Sequence, residues 1–306
     1  MLAPACPRHT AVSAQLLSGG LANRSFKVWL SDVATPVVIR VYVRDPSSAA
    51  REASILERIK DRVPVPEVIY VSPPASHPET YMVLRWVDGI PLDQALALGP
   101  SADARNTVRA AGGALAGLQS FQFATSGFFG STMELRTPFP SEPRDIVAIL
   151  ERCLFQDGAG ERLGDALTHR LWSFVNEHLD ALSLVAHHST LVHGDFNGLN
   201  VIVQIAPDPP QVAALIDWEY AHSGTPLLDL ASMLRRPGRR LPGWFEQELV
   251  SGYRCAGGTL PENWKRVSRI VDAVRLCMFV RSRDAGQVAI EGVRALLESA
   301  LADEQR

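Results

Sequence analysis

A chain of 306 residues is long enough for one large domain or for two lobes with separate cores. Its net charge of −3 and ordinary globular composition argue against a dedicated nucleic-acid binder, and no apolar run reaches the length of a membrane span. Cys6, Cys153, Cys255 and Cys277 never fall at Cys-x-x-Cys spacing, so scattered reduced thiols are expected rather than a zinc site or a disulfide framework. Residues 1–8 offer neither a basic region nor a sustained apolar stretch, so no signal peptide is expected and the cytoplasm is the expected compartment.

The first ninety residues read as β-rich with one helix. Strands are expected over Val12–Leu17, Arg24–Leu30, Val37–Val43, Glu67–Val71 and Thr80–Val87. Between the first two lies a glycine-containing turn at residues 18–23, and between the third and fourth a helix over Pro46–Lys60. Ala49, Ala53, Ile55, Leu56 and Ile59 form the apolar face of that helix; Glu52 falls beside the face and Glu57 further round. From Pro91 onward the chain reads as mainly helical. Helices are expected over Ser101–Phe121 with Ser101 as N-cap, then Arg144–Phe155, Ala166–Ala186, Pro226–Leu234, Trp244–Arg254, Pro261–Arg281 and Gly286–Ala300. Pro261 suits a first helical position. Arg235-Arg236-Pro237-Gly238-Arg239-Arg240 is a basic stretch that reads as a solvated surface loop. Charge divides unevenly: residues 1–90 carry ten Lys and Arg against eight Asp and Glu, and residues 91–306 carry twenty against twenty-five.

The most informative segment is Leu191-Val192-His193-Gly194-Asp195-Phe196-Asn197-Gly198-Leu199-Asn200-Val201-Ile202-Val203, followed by Ala214-Leu215-Ile216-Asp217-Trp218-Glu219. Short apolar runs read as strands, and their ends bring Asp195, Asn200 and Asp217 within reach of one another. A carboxylate can orient a hydroxyl and accept its proton. An amide oxygen and a second carboxylate can hold Mg²⁺ against nucleotide phosphates, because Mg²⁺ takes oxygen ligands and shares its shell with phosphate oxygens.

His-x-Asp-x-x-x-x-Asn followed by Asp is the protein-kinase catalytic loop in outline. Here Gly194 stands where His-Arg-Asp has Arg, and Asp217-Trp218-Glu219 stands where Asp-Phe-Gly is usual. With these departures the chain resembles the aminoglycoside phosphotransferase and choline-kinase-like family of small-molecule kinases. The resemblance implies an α+β, bilobal protein-kinase-like fold: a small five-stranded antiparallel N-lobe over residues 1–89, and a larger, mainly helical C-lobe over residues 90–306. It implies ATP or GTP as co-substrate, Mg²⁺, and a small hydroxyl-bearing acceptor, with no nucleic acid or membrane partner.

Residue by residue, the resemblance implies Asp195 and His193 as the catalytic pair, and Asn200 and Asp217 as metal ligands. Gly19, Gly20 and Asn23 match a Gly-Gly-x-x-Asn phosphate turn. Arg40 stands at the phosphate-pairing Lys position, with Glu52 as its helix partner. The Arg85 carbonyl and the Val87 N–H fall where adenine is bound. Asp229 resembles a structural Asp that braces the catalytic loop; a helix N-terminal carboxylate is the competing reading. Lys27 is the alternative phosphate contact to Arg40. The acceptor stays open among antibiotics such as aminoglycosides, and choline, homoserine or sugars, the mildly acidic C-lobe leaning toward a cation. Two other functions remain: a catalytically silent pseudokinase that only binds, and a protein kinase. The short stretch between Asp217 and Pro226, without Ala-Pro-Glu, speaks against the protein kinase.

Overall fold

The computed structural model describes the chain except residues 3, 18–22, 74–75, 100, 140–141, 186–187, 207–208, 236–240, 283–284 and 303–306. The N-terminal part is an antiparallel sheet of order β1-β2-β3-β5-β4, with β1 (Ala11–Leu16), β2 (Asn23–Leu30), β3 (Val37–Tyr42), β4 (Val68–Val71) and β5 (Thr80–Arg85). Helix α1 (Ser48–Ile59) follows β3. Strand β1 is exposed along its length at the sheet edge, whereas β3 is central and almost wholly buried. Alternation along β3 divides its side chains between the two faces. Val37, Ile39 and Val41 join Val28, Leu30, Tyr81 and Val83 in a small cluster on one face. Val38 and Tyr42 face the main core instead, with α1. Arg40 belongs to this second register, so the β-branched run itself aims a cation at the helix that follows it. The five apolar α1 residues expected on one face are buried, and Glu52 is buried with them.

After β5 the chain passes through residues 86–89 to β6 (Ile90–Pro91) and α2 (Leu92–Ala97). The long α3 (Ala102–Leu118) starts at Ser101, whose Oγ accepts the Ala104 N–H at 3.0 Å. Next come β7 (Gly127–Phe129), β8 (Leu135–Pro138), α4 (Pro143–Phe155), α5 (Ala159–Leu163) and α6 (Asp165–Glu177). The catalytic segment contributes β9 (Thr190–Val192), β10 (Val201–Gln204), β11 (Gln211–Leu215) and β12 (His222–Gly224). Helices α7 (Leu227–Leu234), α8 (Gly243–Cys255), α9 (Trp264–Val280) and α10 (Gln287–Ala302) close the chain. This is the α+β bilobal, kinase-like architecture. No described helix is long and apolar enough to cross a membrane, and all four cysteines are free thiols.

Two expectations need correction. The helix expected over Ala166–Ala186 ends at Glu177, and a 3₁₀ segment over Leu179–Leu184 replaces its last turns. Pro261 is not a first helical residue: α9 begins at Trp264, whose N–H donates to the Pro261 carbonyl at 3.1 Å across a turn. The runs around the His-Gly-Asp loop form strands as expected, and the run after the loop makes a hairpin with the run that leads to Asp217. Strand β10 pairs with β11 and β6, while β9 pairs with β12 in a separate sheet of order β8-β7-β12-β9. The His-Gly-Asp loop thus bridges two small sheets. The segment after Asp217 is drawn into one of them as β12, hydrogen-bonded on both sides to β7 and β9. It is no free segment on which a peptide could dock, which is against the protein-kinase reading. Of the basic stretch, only Arg235 lies within the described residues.

Candidate active site

Asp195 sits just beyond the end of β9, and its surroundings fix it through backbone groups. Asp229, at the start of α7 and fully buried, accepts the His193 N–H at 2.7 Å and the Gly194 N–H at 2.9 Å. Burial pushes the Asp229 carboxyl up to about 7, against the pull of those two donors. Asp229 therefore braces the loop, and the helix-terminus alternative adds nothing needed to explain it. His193 is buried, with Nε2 3.0 Å from the Ile216 carbonyl and Nδ1 accepting the Asp195 N–H at 3.3 Å. That pairing requires the proton on Nε2, and burial lowers the ring's pKa, so the imidazole is neutral. Its ring lies against that of Trp218, with centroids 4.4 Å apart. His193, expected as part of a catalytic pair, is instead packed beneath the loop with both nitrogens committed to backbone.

Asn200 reaches back across the turn. Its Nδ2 donates to the Asp195 carbonyl at 2.9 Å and to Asp195 Oδ2 at 3.0 Å. One carboxylate oxygen is thereby oriented, and the amide oxygen of Asn200 is left as a ligand atom. The Asn200 carbonyl accepts the Ile216 N–H at 3.0 Å, which draws the chain leading to Asp217 alongside. Asp217 itself has φ +68°, a left-handed conformation that Asp tolerates better than most residues. The next residue, Trp218, is buried, with Nε1 donating to the Leu215 carbonyl at 3.0 Å.

Across the cleft, Arg40 joins the two lobes. Its guanidinium bonds to Asp217, lies 3.3 Å from Glu52 and lies 4.0 Å from Glu219. Glu52 also accepts the Tyr42 hydroxyl at 2.6 Å and the Trp218 N–H at 3.4 Å. Asn23 donates to Glu219 at 2.7 Å, a bond spanning most of the chain. Burial disfavours the Arg40 charge, but Glu52 and Asp217 outweigh it and hold the guanidinium more firmly protonated than usual. Three carboxylates around one guanidinium leave surplus negative charge. Glu219 registers it: burial first, then Asp217, pushes its carboxyl up to about 7. A divalent cation at Asn200 and Asp217 would relieve that surplus. No cluster of three His, Cys, Asp or Glu ligands exists among the described residues. The donor set is one amide oxygen and one carboxylate, which suits an ion completing its shell with phosphate oxygens.

Against the expected set, Asp195, Asn200 and Asp217 converge, and Arg40, Glu52 and Asn23 reach the same cleft from the N-lobe. Gly19 and Gly20 lie outside the described residues. Arg85 ends β5 and pairs with Glu67 at the surface, and Val87 is half-buried in the passage to β6. Lys27, opposite Val38 and so on the same sheet face as Arg40, lies over the ring of Trp86 at 3.6 Å and near that of Trp29 at 5.1 Å. Sequence reading missed Glu219, although it stands in the Asp-Trp-Glu run. Nor does any local signal mark Arg275 on α9, whose Nη1 donates to the Gly194 carbonyl at 3.0 Å.

The sequence matches the profile of the phosphotransferase enzyme family APH over residues 13–268. The chain belongs to that family. Viomycin phosphotransferase of Streptomyces vinaceus is 26% identical over 164 residues, 53% of this chain and 52% of that protein, so the match spans about half of the relative's length. Solved structures of APH proteins share the fold at low identity. The GDP complex of a mutant aminoglycoside 2'-phosphotransferase-IIIa superposes with a TM-score of 0.74 at 18% identity, covering 100% of this chain and 96% of that one. The ternary complex of an aminoglycoside phosphotransferase APH(4)-Ia mutant with AMP-PNP and hygromycin B gives 0.68 at 18% identity, covering 96% and 95%.

Proposed function

We propose that this chain is a small-molecule kinase, transferring the γ-phosphoryl group of ATP or GTP to a hydroxyl of a small acceptor. The convergence of Asp195, Asn200 and Asp217 in one cleft, with Arg40 and Glu52 across it, carries the reading. The nucleotide lies between an N-lobe of residues 1–89 and a C-lobe of residues 90–306. Its base is held by the Arg85 carbonyl and Val87 N–H, and its phosphates lie toward Asn23 and Arg40. Asp195 accepts the acceptor's hydroxyl proton through the oxygen that Asn200 leaves free. His193 keeps the loop in shape. Asn200 and Asp217 hold Mg²⁺, which when bound supplies charge neutralisation at the transferring phosphoryl group. Such chemistry depends on positioning and charge rather than on covalent catalysis. The reaction belongs in the cytoplasm, where nucleotide is available.

The complexes of its structural relatives support a nucleotide and an antibiotic acceptor. One holds AMP-PNP with hygromycin B and another holds GDP with kanamycin. The acceptor is therefore sought first among antibiotics, with metabolite acceptors of choline, homoserine or sugar type as the alternative. The test is nucleotide consumption by the purified chain with ATP or GTP and Mg²⁺. The acceptor panel is viomycin, hygromycin B, kanamycin, choline, homoserine and simple sugars. Acceptor-dependent turnover with a phosphorylated product is expected. Nucleotide binding without turnover on any acceptor, or on a wider metabolite panel, would favour a silent binding module instead.

A further inference from the structure

A protein-kinase loop carries an arginine immediately before its catalytic Asp, and this chain has Gly194 there. The substitution is forced by geometry: Gly194 has φ +82°, and a Cβ would drive into the Tyr220 carbonyl. A guanidinium nevertheless reaches this residue from elsewhere. Arg275, in the second half of α9, donates from Nη1 to the Gly194 carbonyl at 3.0 Å. That carbonyl belongs to the peptide group joining Gly194 to Asp195, and the N–H of the same group donates to His193 Nδ1 at 3.3 Å. The preceding peptide is held by Asp229 through the Gly194 N–H at 2.9 Å. Two successive peptide planes before Asp195 are thus pinned, by α7 at one and by α9 at the other.

The guanidinium is itself oriented. Its Nε lies 3.7 Å from Asp272 Oδ1, one turn earlier on α9. Asp272 also pairs with Arg235 at 3.1 Å, and Arg235, which caps the end of α7, donates to Ser232 Oγ at 2.7 Å. Arg275 Nε is buried with no hydrogen-bond partner among the described residues. A buried donor left unsatisfied is costly, so the side chain is placed for the bond its Nη1 makes, not for its own satisfaction.

We propose that Arg275 is a positioning residue for Asp195. It fixes the plane of the Gly194–Asp195 peptide, and so the direction of the carboxylate, from a helix of the C-terminal region. The proposal rests on the reading of Asp195 as the base.

The test compares wild type with Arg275→Met, Arg275→Lys and, as a control at the residue that ends the same helix, Arg281→Gln. Arg281 pairs with Asp157 at 2.9 Å, away from the loop. Turnover is normalised to nucleotide-binding sites, so unfolded protein does not count. For Arg275→Met, kcat per site falls roughly tenfold to a hundredfold, the scale of a small misplacement of a reacting group. Nucleotide affinity and KM for nucleotide stay within about threefold of wild type. Arg275→Lys, which keeps a charged donor without the fork, recovers part of the loss. Arg281→Gln matches wild type. Amide hydrogen exchange supplies a readout independent of activity: residues 193–195 exchange faster in Arg275→Met, while β3 and β5 do not.

A kcat per site within twofold of wild type in Arg275→Met overturns the proposal, as does unchanged exchange at residues 193–195. Should Arg275→Met not fold, Arg275→Lys decides: wild-type turnover together with wild-type loop exchange overturns it. If the wild-type protein phosphorylates no acceptor, the kinase reading fails by itself. The exchange comparison then still upholds or overturns the clamp on the loop.

Discussion

The two sides of the cleft are built in different ways. On the nucleotide side, Arg40 pairs with Glu52 of its own lobe and with Asp217 and Glu219 across the cleft, and Asn23 is attached to Glu219. On the side of the proposed base, the loop is held through main-chain groups by Asp229, His193, Asn200 and Arg275. Ion pairs can exchange partners when a metal ion and phosphates arrive, and the surplus of carboxylates around Arg40 favours such an exchange. Bonds to backbone fix a shape and offer no alternative partners. The contrast shows where change is tolerated: charge can be redistributed on one side, while orientation must be kept on the other.

The comparison breaks most sharply at Asp195. Asp195→Ala removes the carboxylate proposed as the base, and leaves the Arg40 side intact. Turnover is expected to fall by roughly 10²–10⁴, the usual contribution of a general base, or about 3–6 kcal/mol in barrier. Nucleotide affinity should stay near wild type. Equilibrium nucleotide binding beside steady-state kinetics checks both halves, and undiminished turnover would remove Asp195 from its assigned role.

Asn200→Ala and Asp217→Asn sharpen the boundary between the two sides, because Asn200 bonds to Asp195 and its carbonyl holds the Ile216 N–H beside Asp217, which in turn bonds to Arg40. Each variant is expected to lower the rate by about one to two orders of magnitude, less than loss of the base. Each should also shift the Mg²⁺ titration to higher concentration, since each removes one of the two proposed protein ligands. Asn200→Ala carries an added loss of orientation at Asp195 Oδ2. A Mg²⁺ dependence identical to wild type in both variants would place the metal elsewhere.

Much of this was legible in the sequence, for local reasons. The β-branched run of β3 and the apolar face of α1 have the periodicities of a strand and a helix, so Arg40 and Glu52 could be placed opposite each other before any coordinates. The His-Gly-Asp loop is readable because its spacing is set by one turn. The pairing of β9 with β12 is not: three-residue strands are too short to show a period. Arg275 and Asp272 are illegible for another reason. They lie on an amphipathic helix with many other charges, 81 residues from Gly194 in the case of Arg275, and only tertiary packing selects them. His193 shows the opposite error: a motif residue next to the base suggests chemistry, and only burial reveals that both nitrogens are occupied.

On the nucleotide side the expected effects are smaller on chemistry and larger on stability. Arg40 is buried between Glu52 and Asp217. Arg40→Ala leaves Glu52 buried without its cation, a change that typically costs about 3–5 kcal/mol. Arg40→Lys retains the charge but cannot bridge both carboxylates with a fork, so it should lose less stability and retain more nucleotide affinity. Denaturant unfolding together with nucleotide titration of both variants measures this order. Equal losses would show that the fork is irrelevant.

The smallest effect is expected at Lys27, another cation on the N-lobe sheet. Its ammonium lies over the Trp86 ring at 3.6 Å, and Trp86 belongs to the passage between the lobes. A cation over an indole contributes about 0.5–1 kcal/mol at an exposed site. Lys27→Ala should therefore cost about that much stability and change turnover less than about threefold, if the phosphates are held by Arg40 and not by Lys27. The two alanine variants measured side by side decide between them. Collapse of turnover in Lys27→Ala with a nearly silent Arg40→Ala would reverse the map of the nucleotide side. The loop around Asp195, fixed by backbone bonds that touch neither residue, would keep its assignment.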